Sequence, residues 1–212
     1  MITDQLDFAG RVAIVTGGAT GIGYATALQL AKLGANVVIC SRTVDELEAA
    51  AARITEESGN RCLAVPTDVK VEEAVIALVQ RTVDEFGRVD ILVNNAGTNV
   101  RKAAEEYSLA EWTHVMDTNL TSAFMCAQAA YPEMLKVKGG KIVNIGSMLS
   151  IFGVGFGAPY GASKGGIVQL TKALAAGWAK DNIQANAILP GWIDTDLTAG
   201  AKRDVAGLNE RV

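Results

Sequence analysis

Tyr160 and Lys164 stand four residues apart in a helical pattern that follows a glycine-rich loop, a spacing that stacks both side chains on one helix face. A phenol has an ordinary pKa of about 10, and a fixed ammonium beside it favours the phenolate. The pair therefore predicts an acid–base group that exchanges protons near neutral pH. The plainer alternative is a surface pair, since the bare spacing is common. Ser147 lies just upstream, where the apolar run 141–145 gives out at Gly146, and presents a hydroxyl at the mouth of a strand. One short stretch, 146–164, thus gathers a hydroxyl, a phenol and an ammonium.

A second group of residues suits an anion. Thr16-Gly17-x-x-x-Gly21-x-Gly23 sits between the first apolar run and the first helical pattern. Glycines there let the backbone pass close to a pyrophosphate, and free N–H groups at the helix start favour its charge. A tight turn that only needs positive φ is the alternative. Past the second strand the chain reads Cys40-Ser41-Arg42, with no carboxylate before Asp45. A carboxylate would bond ribose hydroxyls and repel a 2′-phosphate, whereas a hydroxyl and a guanidinium suit that phosphate. NADP(H) is therefore preferred and NAD(H) remains possible, unless Arg42 is an ordinary surface residue.

The elements that must position these groups alternate along the whole chain. Short apolar runs at 11–16, 37–40, 61–65, 91–93, 141–145 and 183–189 read as strands buried on both faces. Helical patterns occupy 24–33, 44–58, 71–86, 109–136 and 159–180, and Pro132 is expected to kink the fourth or mark a join. With no linker, repeat or low-complexity tract, this predicts one α/β domain: a Rossmann-like, doubly wound parallel sheet between two helical layers.

Composition narrows the function. The 212 residues are 50% hydrophobic and 20% charged, with a net charge of -4, so there is no basic footprint for nucleic acid or anionic lipid. No apolar run has the length of a membrane span, and MITDQLDFAG lacks a charged stretch followed by an apolar one, which predicts a cytoplasmic protein. Cys40, Cys62 and Cys126 form no CxxC, and His114 has no second histidine near it, so thiol, zinc and histidine-triad chemistry are poor options and no metal is expected.

With these segments in order, residues 8–200 resemble the short-chain dehydrogenase/reductase family. The turn 16–23 matches its TGxxxGxG pattern, Asp68-Val69 its adenine-side pair, and Asn94-Asn95-Ala96-Gly97 its NNAG segment. Asn119 matches the helix asparagine, Ser147 the serine after the fifth strand, Tyr160 and Lys164 the YxxxK pair, and Pro190-Gly191 through Thr195 the PGxxxT segment. The resemblance implies strand order 3-2-1-4-5-6 and hydride transfer between a nicotinamide and a small carbonyl or secondary alcohol. Tyr160 would be the acid or base, Ser147 would hold the substrate oxygen, and Lys164 would hold the nicotinamide ribose and lower the Tyr160 pKa. Asn119 would keep a water that links Lys164 to solvent. Contact with the dinucleotide is implied for Gly17, Thr20, Gly21, Ile22, Gly23, Ser41, Arg42, Asp68, Val69, Asn95, Ala96, Gly97, Pro190, Gly191, Ile193 and Thr195, besides Tyr160 and Lys164. Assembly as a homodimer or homotetramer through the helices at 109–136 and 159–180 is implied as well.

The resemblance also implies a seventh strand, which the charged tail 199–212 is unsuited to form. The chain is therefore expected to lack a C-terminal part of the domain, with the sixth strand left at an edge. Loops at 98–104, 148–158 and 192–200 should line the substrate pocket, with Met148, Phe152, Phe156 and Trp192 as apolar walls. The segments 146–150 and 178–183 are similar to the sugar-acid and polyol branch, such as the gluconate dehydrogenases. The 3-oxoacyl-carrier-protein reductases are the alternative, for which Arg101-Lys102 is the only obvious basic pair. A non-catalytic dinucleotide sensor, or a structural module, leaves Ser147, Tyr160, Lys164 and Asn119 without a reason.

Overall fold

The computed structural model describes residues 6–195 and Thr198. Six strands, β1 (Val12–Thr16), β2 (Asn36–Ser41), β3 (Cys62–Pro66), β4 (Ile91–Asn94), β5 (Gly140–Ile145) and β6 (Ile183–Ile188), form one sheet in the order β3-β2-β1-β4-β5-β6. Every pairing is parallel. The expected tail strand at 199–212 lies outside the described residues, and among those described β6 is an edge.

Alternation along β1 shows how the layers form. Ile14 joins one core with α3 (Glu72–Phe86), α5 (Ser122–Lys136) and α6 (Ala158–Trp178), whose Leu78, Ala127 and Leu174 pack there. Ala13 and Val15 face the other way, onto α1 (Gly21–Lys32) and α2 (Val44–Ser58) through Ala27, Ala31, Leu47 and Ile54. A strand covered on both faces must be apolar throughout, and all five residues of β1 are buried.

The helical pattern at 109–136 resolves into α4 (Leu109–Met116), a π-helical turn at Asp117–Thr121, and α5. The join lies elsewhere than Pro132: α5 runs through Pro132 to Lys136, and the irregular turn centres on Asn119. Among the described residues no helix is long and apolar enough to cross a membrane, and no group of three His, Cys, Asp or Glu is placed to hold a metal.

Register aligns the carboxyl ends of the strands. Thr16 pairs with Cys40, Asn94 with Asn144, and Ile145 with Ile188. The loops that leave these ends start side by side, which is where open α/β sheets place ligands.

Candidate active site

The glycine turn is built against the loop after β4. Thr16 Oγ1 accepts from the N–H groups of Asn95 and Ala96 at 3.0 Å, and Asn95 Nδ2 donates to the Thr16 and Gly17 carbonyls at 3.0 Å. Gly17 has φ 63°, and a β-carbon there would lie 3.0 Å from Ala96 Cα. A β-carbon on Gly23 would lie 2.2 Å from the Gly17 carbonyl oxygen, so the first turn of α1 packs directly on the bend. Thr20, at the N-cap, makes no side-chain cap bond, and the first turn of α1 carries no acid. N–H groups are thus presented in a bend that a side chain would fill, and an anion meets no repulsion there. These residues fit a dinucleotide pyrophosphate.

Beyond β5 the Ser147 hydroxyl and the Tyr160 phenol line the same cavity. Burial pushes the Tyr160 pKa up; the neighbouring Ser147 hydroxyl and then the charge of Arg101 pull it down, and the net shift is upward. That net direction is opposite to the lowering expected from Lys164. The Lys164 ammonium is 5.7 Å from the Tyr160 ring centroid and donates to the Ile145 carbonyl at 2.7 Å. Lys164 is itself only 4% exposed, and burial brings its pKa down to about 8. Desolvation, invisible in a spacing of four, thus governs both groups. A buried ammonium facing the cavity without an ion-paired carboxylate among the described residues fits polar oxygens of a ligand such as ribose hydroxyls.

Asn119 is 2% exposed and fully engaged by protein atoms. Its Oδ1 accepts from the Thr98 N–H at 2.7 Å, and its Nδ2 donates to the Thr98 carbonyl and to Ser163 Oγ, both at 3.0 Å. Ser163 Oγ in turn donates to the Tyr160 carbonyl at 2.8 Å. The π-helical turn therefore brings an amide that clamps the β4 loop to the helix carrying Tyr160. A water between Asn119 and Lys164, as expected above, would have to use atoms other than these satisfied ones.

Ser150 makes a second clasp. Its hydroxyl donates to the Lys164 carbonyl at 2.7 Å and accepts from the Ser147 N–H at 3.2 Å. Ser150 and Ser163 carry no motif, because their role exists only once the β5 loop has folded onto α6.

One cavity of about 230 Å³ collects most of the expected residues: Gly17, Thr20, Gly21, Ile22, Asn95, Ala96, Gly97, Ser147, Tyr160, Lys164, Pro190, Gly191, Ile193 and Thr195 line it. Ile145, Gly146 and Thr198, which the motifs did not mark, line it too. The others lie outside its wall. Gly23 and Asn119 act through the contacts above. Ser41 ends β2, with Arg42 exposed beside it. The Val69 side chain is in the core, and Asp68 Oδ1 accepts from the Lys70 N–H at 3.0 Å while its carbonyl accepts from Val71 at the cap of α3. Of the expected apolar walls, Met148, Phe156 and Trp192 line a neighbouring cavity, whereas Phe152 is 59% exposed and lines neither. Lys102, half of the expected basic pair, is ion-paired to Glu111.

Comparison with known proteins gives these features their context. A family model described as short chain dehydrogenase matches residues 11–206. The cis-4-hydroxycyclohexanecarboxylate dehydrogenase of Sinomonas cyclohexanicum is 43% identical over 201 residues, 93% of this chain and 79% of the relative. The 2-dehydro-3-deoxy-D-gluconate 5-dehydrogenase of Escherichia coli K12 is 40% identical over 211 residues, 96% of this chain and 80% of the relative. A solved structure from Beutenbergia cavernae, assigned as an NAD(P) dependent gluconate 5-dehydrogenase with NADP bound at low occupancy, superposes with a TM-score of 0.87. It is 39% identical and covers 93% of this chain and 78% of its own. The chain belongs to the short chain dehydrogenase family, NAD(P)-dependent oxidoreductases that move a hydride between a nicotinamide and a carbonyl or secondary alcohol.

Proposed function

We propose that the protein is an NADP(H)-preferring dehydrogenase/reductase acting on a sugar acid or related hydroxy acid, built as a single domain. The observation that carries it is that Ser147 and Tyr160 line one cavity with the buried Lys164 and the glycine turn. Relatives that act on gluconate-type and hydroxycyclohexane acids support the substrate class. Ser41 and Arg42 without a nearby carboxylate support NADP(H), as does the NADP found in the Beutenbergia structure. The ion pair of Lys102 with Glu111, and exposed Glu105 and Glu106 beside it, do not favour the acyl-carrier alternative.

When bound, the nicotinamide supplies or accepts the hydride. The protein provides position and electrostatics. The glycine turn, with Asn95, Ala96 and Gly97, would hold the pyrophosphate half, Asp68 and Val69 the adenine side, and Pro190, Gly191, Ile193 and Thr195 the nicotinamide end. Lys164 would take ribose hydroxyls. In reduction Ser147 would hydrogen-bond the substrate oxygen and Tyr160 would deliver a proton as negative charge develops there. In oxidation Tyr160 would remove that proton. A cytoplasmic homodimer or homotetramer accompanies this reading, supported by Leu109, Trp112 and Phe124, large apolar residues exposed on α4 and α5.

Following nicotinamide absorbance with NADPH or NADH against keto-sugar acids, simple ketones and acetoacetyl thioesters tests the proposal. Turnover of the keto acids, faster with NADPH, is expected; turnover confined to the thioesters overturns the substrate class. Tyr160→Phe should keep its fold and cofactor affinity and lose at least about a hundredfold in kcat. A kcat within a few-fold of the parent would remove the phenol from the reaction.

A further inference from the structure

Ser147 and Tyr160 line two cavities. The second, of about 70 Å³, is lined by Met148, Phe156 and Trp192 and by no residue of the glycine turn. Arg101 is the one charged side chain among the described residues of its wall, and its charge lowers the Tyr160 pKa against the larger upward effect of burial. Asn99 lines the same cavity, and its Oδ1 is buried with no hydrogen-bond partner. A buried acceptor left in that state is unfavourable, and a ligand hydroxyl would relieve it.

The loop that carries both residues is held on either side of them. Asn119 fixes both polar groups of the Thr98 backbone. Tyr107 Oη donates to the Val100 carbonyl at 2.6 Å, accepts from the Lys102 N–H at 3.1 Å, and also reaches the Phe156 carbonyl at 3.3 Å. With Thr98, Val100 and Lys102 tied through their backbones, the intervening Asn99 and Arg101 are set in position before any ligand arrives. Arg101 has an interaction of its own, and a guanidinium with five donors in a planar fork can keep it while presenting another edge.

We propose that this second cavity is a subsite for hydroxy acids, in which Arg101 takes the substrate carboxylate and Asn99 Oδ1 accepts a substrate hydroxyl. The proposal rests on the substrate class given above and assigns residues to it. The reacting carbon, held at Ser147 and Tyr160, then lies several bonds from the carboxylate. The names of two relatives describe acids of that kind, one reacting across a ring from the carboxylate and one at the fifth carbon of a gluconate chain. A cationic ketone is repelled by the same guanidinium, and an uncharged one gains nothing from it.

The test pairs each acid with an uncharged counterpart, 5-keto-gluconate with a neutral keto-sugar and cis-4-hydroxycyclohexanecarboxylate with its methyl ester. Arg101→Gln should raise KM for the acids about tenfold to a hundredfold more than KM for their partners, and Arg101→Lys should restore part of the difference. The rising limb of the oxidation pH profile with an uncharged alcohol should move to higher pH in Arg101→Gln, because a charge that favours the Tyr160 phenolate is gone. Asn99→Ala should raise KM for the polyhydroxylated acid more than for the cyclohexane acid. Equal KM changes for acids and neutral partners, with no displacement of the pH profile, overturn the subsite.

A separate readout keeps the subsite distinct from the substrate class. Unreactive cyclohexanecarboxylate should quench tryptophan fluorescence of the NADP-loaded parent and bind at least about tenfold more weakly to Arg101→Gln. If the parent turns over no acid yet binds this anion through Arg101, the substrate class fails and the subsite stands. If the anion does not bind, the subsite falls whatever is turned over.

Discussion

Lys164 is a cation kept in a nearly dry place. Its ammonium donates to the Ile145 carbonyl, and burial brings its pKa down to about 8 from an ordinary 10.5. The folded protein gives up this proton before the unfolded chain does, so folding stability rises with pH between about 8 and about 10.4. Below that window the charge is present in both states and the desolvation penalty is felt in full. Lys164→Met should therefore be inactive, yet at pH 7 as stable as the parent or more so by several degrees in Tm. The gap should close as pH rises through the window. Calorimetry of both ligand-free proteins at pH 7 and pH 10 checks this, and a variant less stable at pH 7 contradicts it. The four-residue spacing made Tyr160 and Lys164 legible as a pair. The direction of their pKa shifts was not, because burial is set by α6 lying against β5 and the loops around them.

At the scale of elements, short polar clasps hold the reacting groups. Ser150 joins the backbone of Ser147 to that of Lys164, beside the bond from the Lys164 ammonium to the Ile145 carbonyl. Ser150→Ala should lower kcat about tenfold through lost alignment, with a small change in Tm, and Ser150→Thr should recover much of it. Measuring kcat beside Tm separates the two effects; a fall in both together would make Ser150 a residue of the fold only. The strands and most helices were legible because apolar runs and 3.6-residue periodicity depend on local sequence. The π-helical turn was not. Asn119 sits in an unbroken helical pattern, and only its pairing with Thr98, on a loop distant in sequence, gives the wider turn a reason. Pro132 does not mark the join, since α5 continues past it for one turn.

Across the whole molecule, parallel strands give the sheet two unlike rims. At the amino rim Asp90 accepts from Arg11 Nη1 and the Val12 N–H at 3.0 Å, and from Arg88 Nε at 2.7 Å and Nη2 at 2.6 Å. Burial alone would raise its pKa, but these donors outweigh it and the net shift is downward. A depressed carboxylate adds stability above its unfolded pKa of about 3.9 that is lost as pH falls through the lower folded value. Asp90→Asn should cost about 1–3 kcal/mol at pH 7. The difference should shrink below about pH 4, as urea titrations at both pH values would show; a difference independent of pH contradicts the assignment. Everything reactive hangs from the carboxyl rim, at Thr16, Asn94, Ile145 and Ile188. Acid loosens the molecule from one rim while ligands brace it from the other. Tolerance to harsh conditions and choice of substrate can consequently drift apart in descendants of this sequence, each revised at its own end of the same six strands.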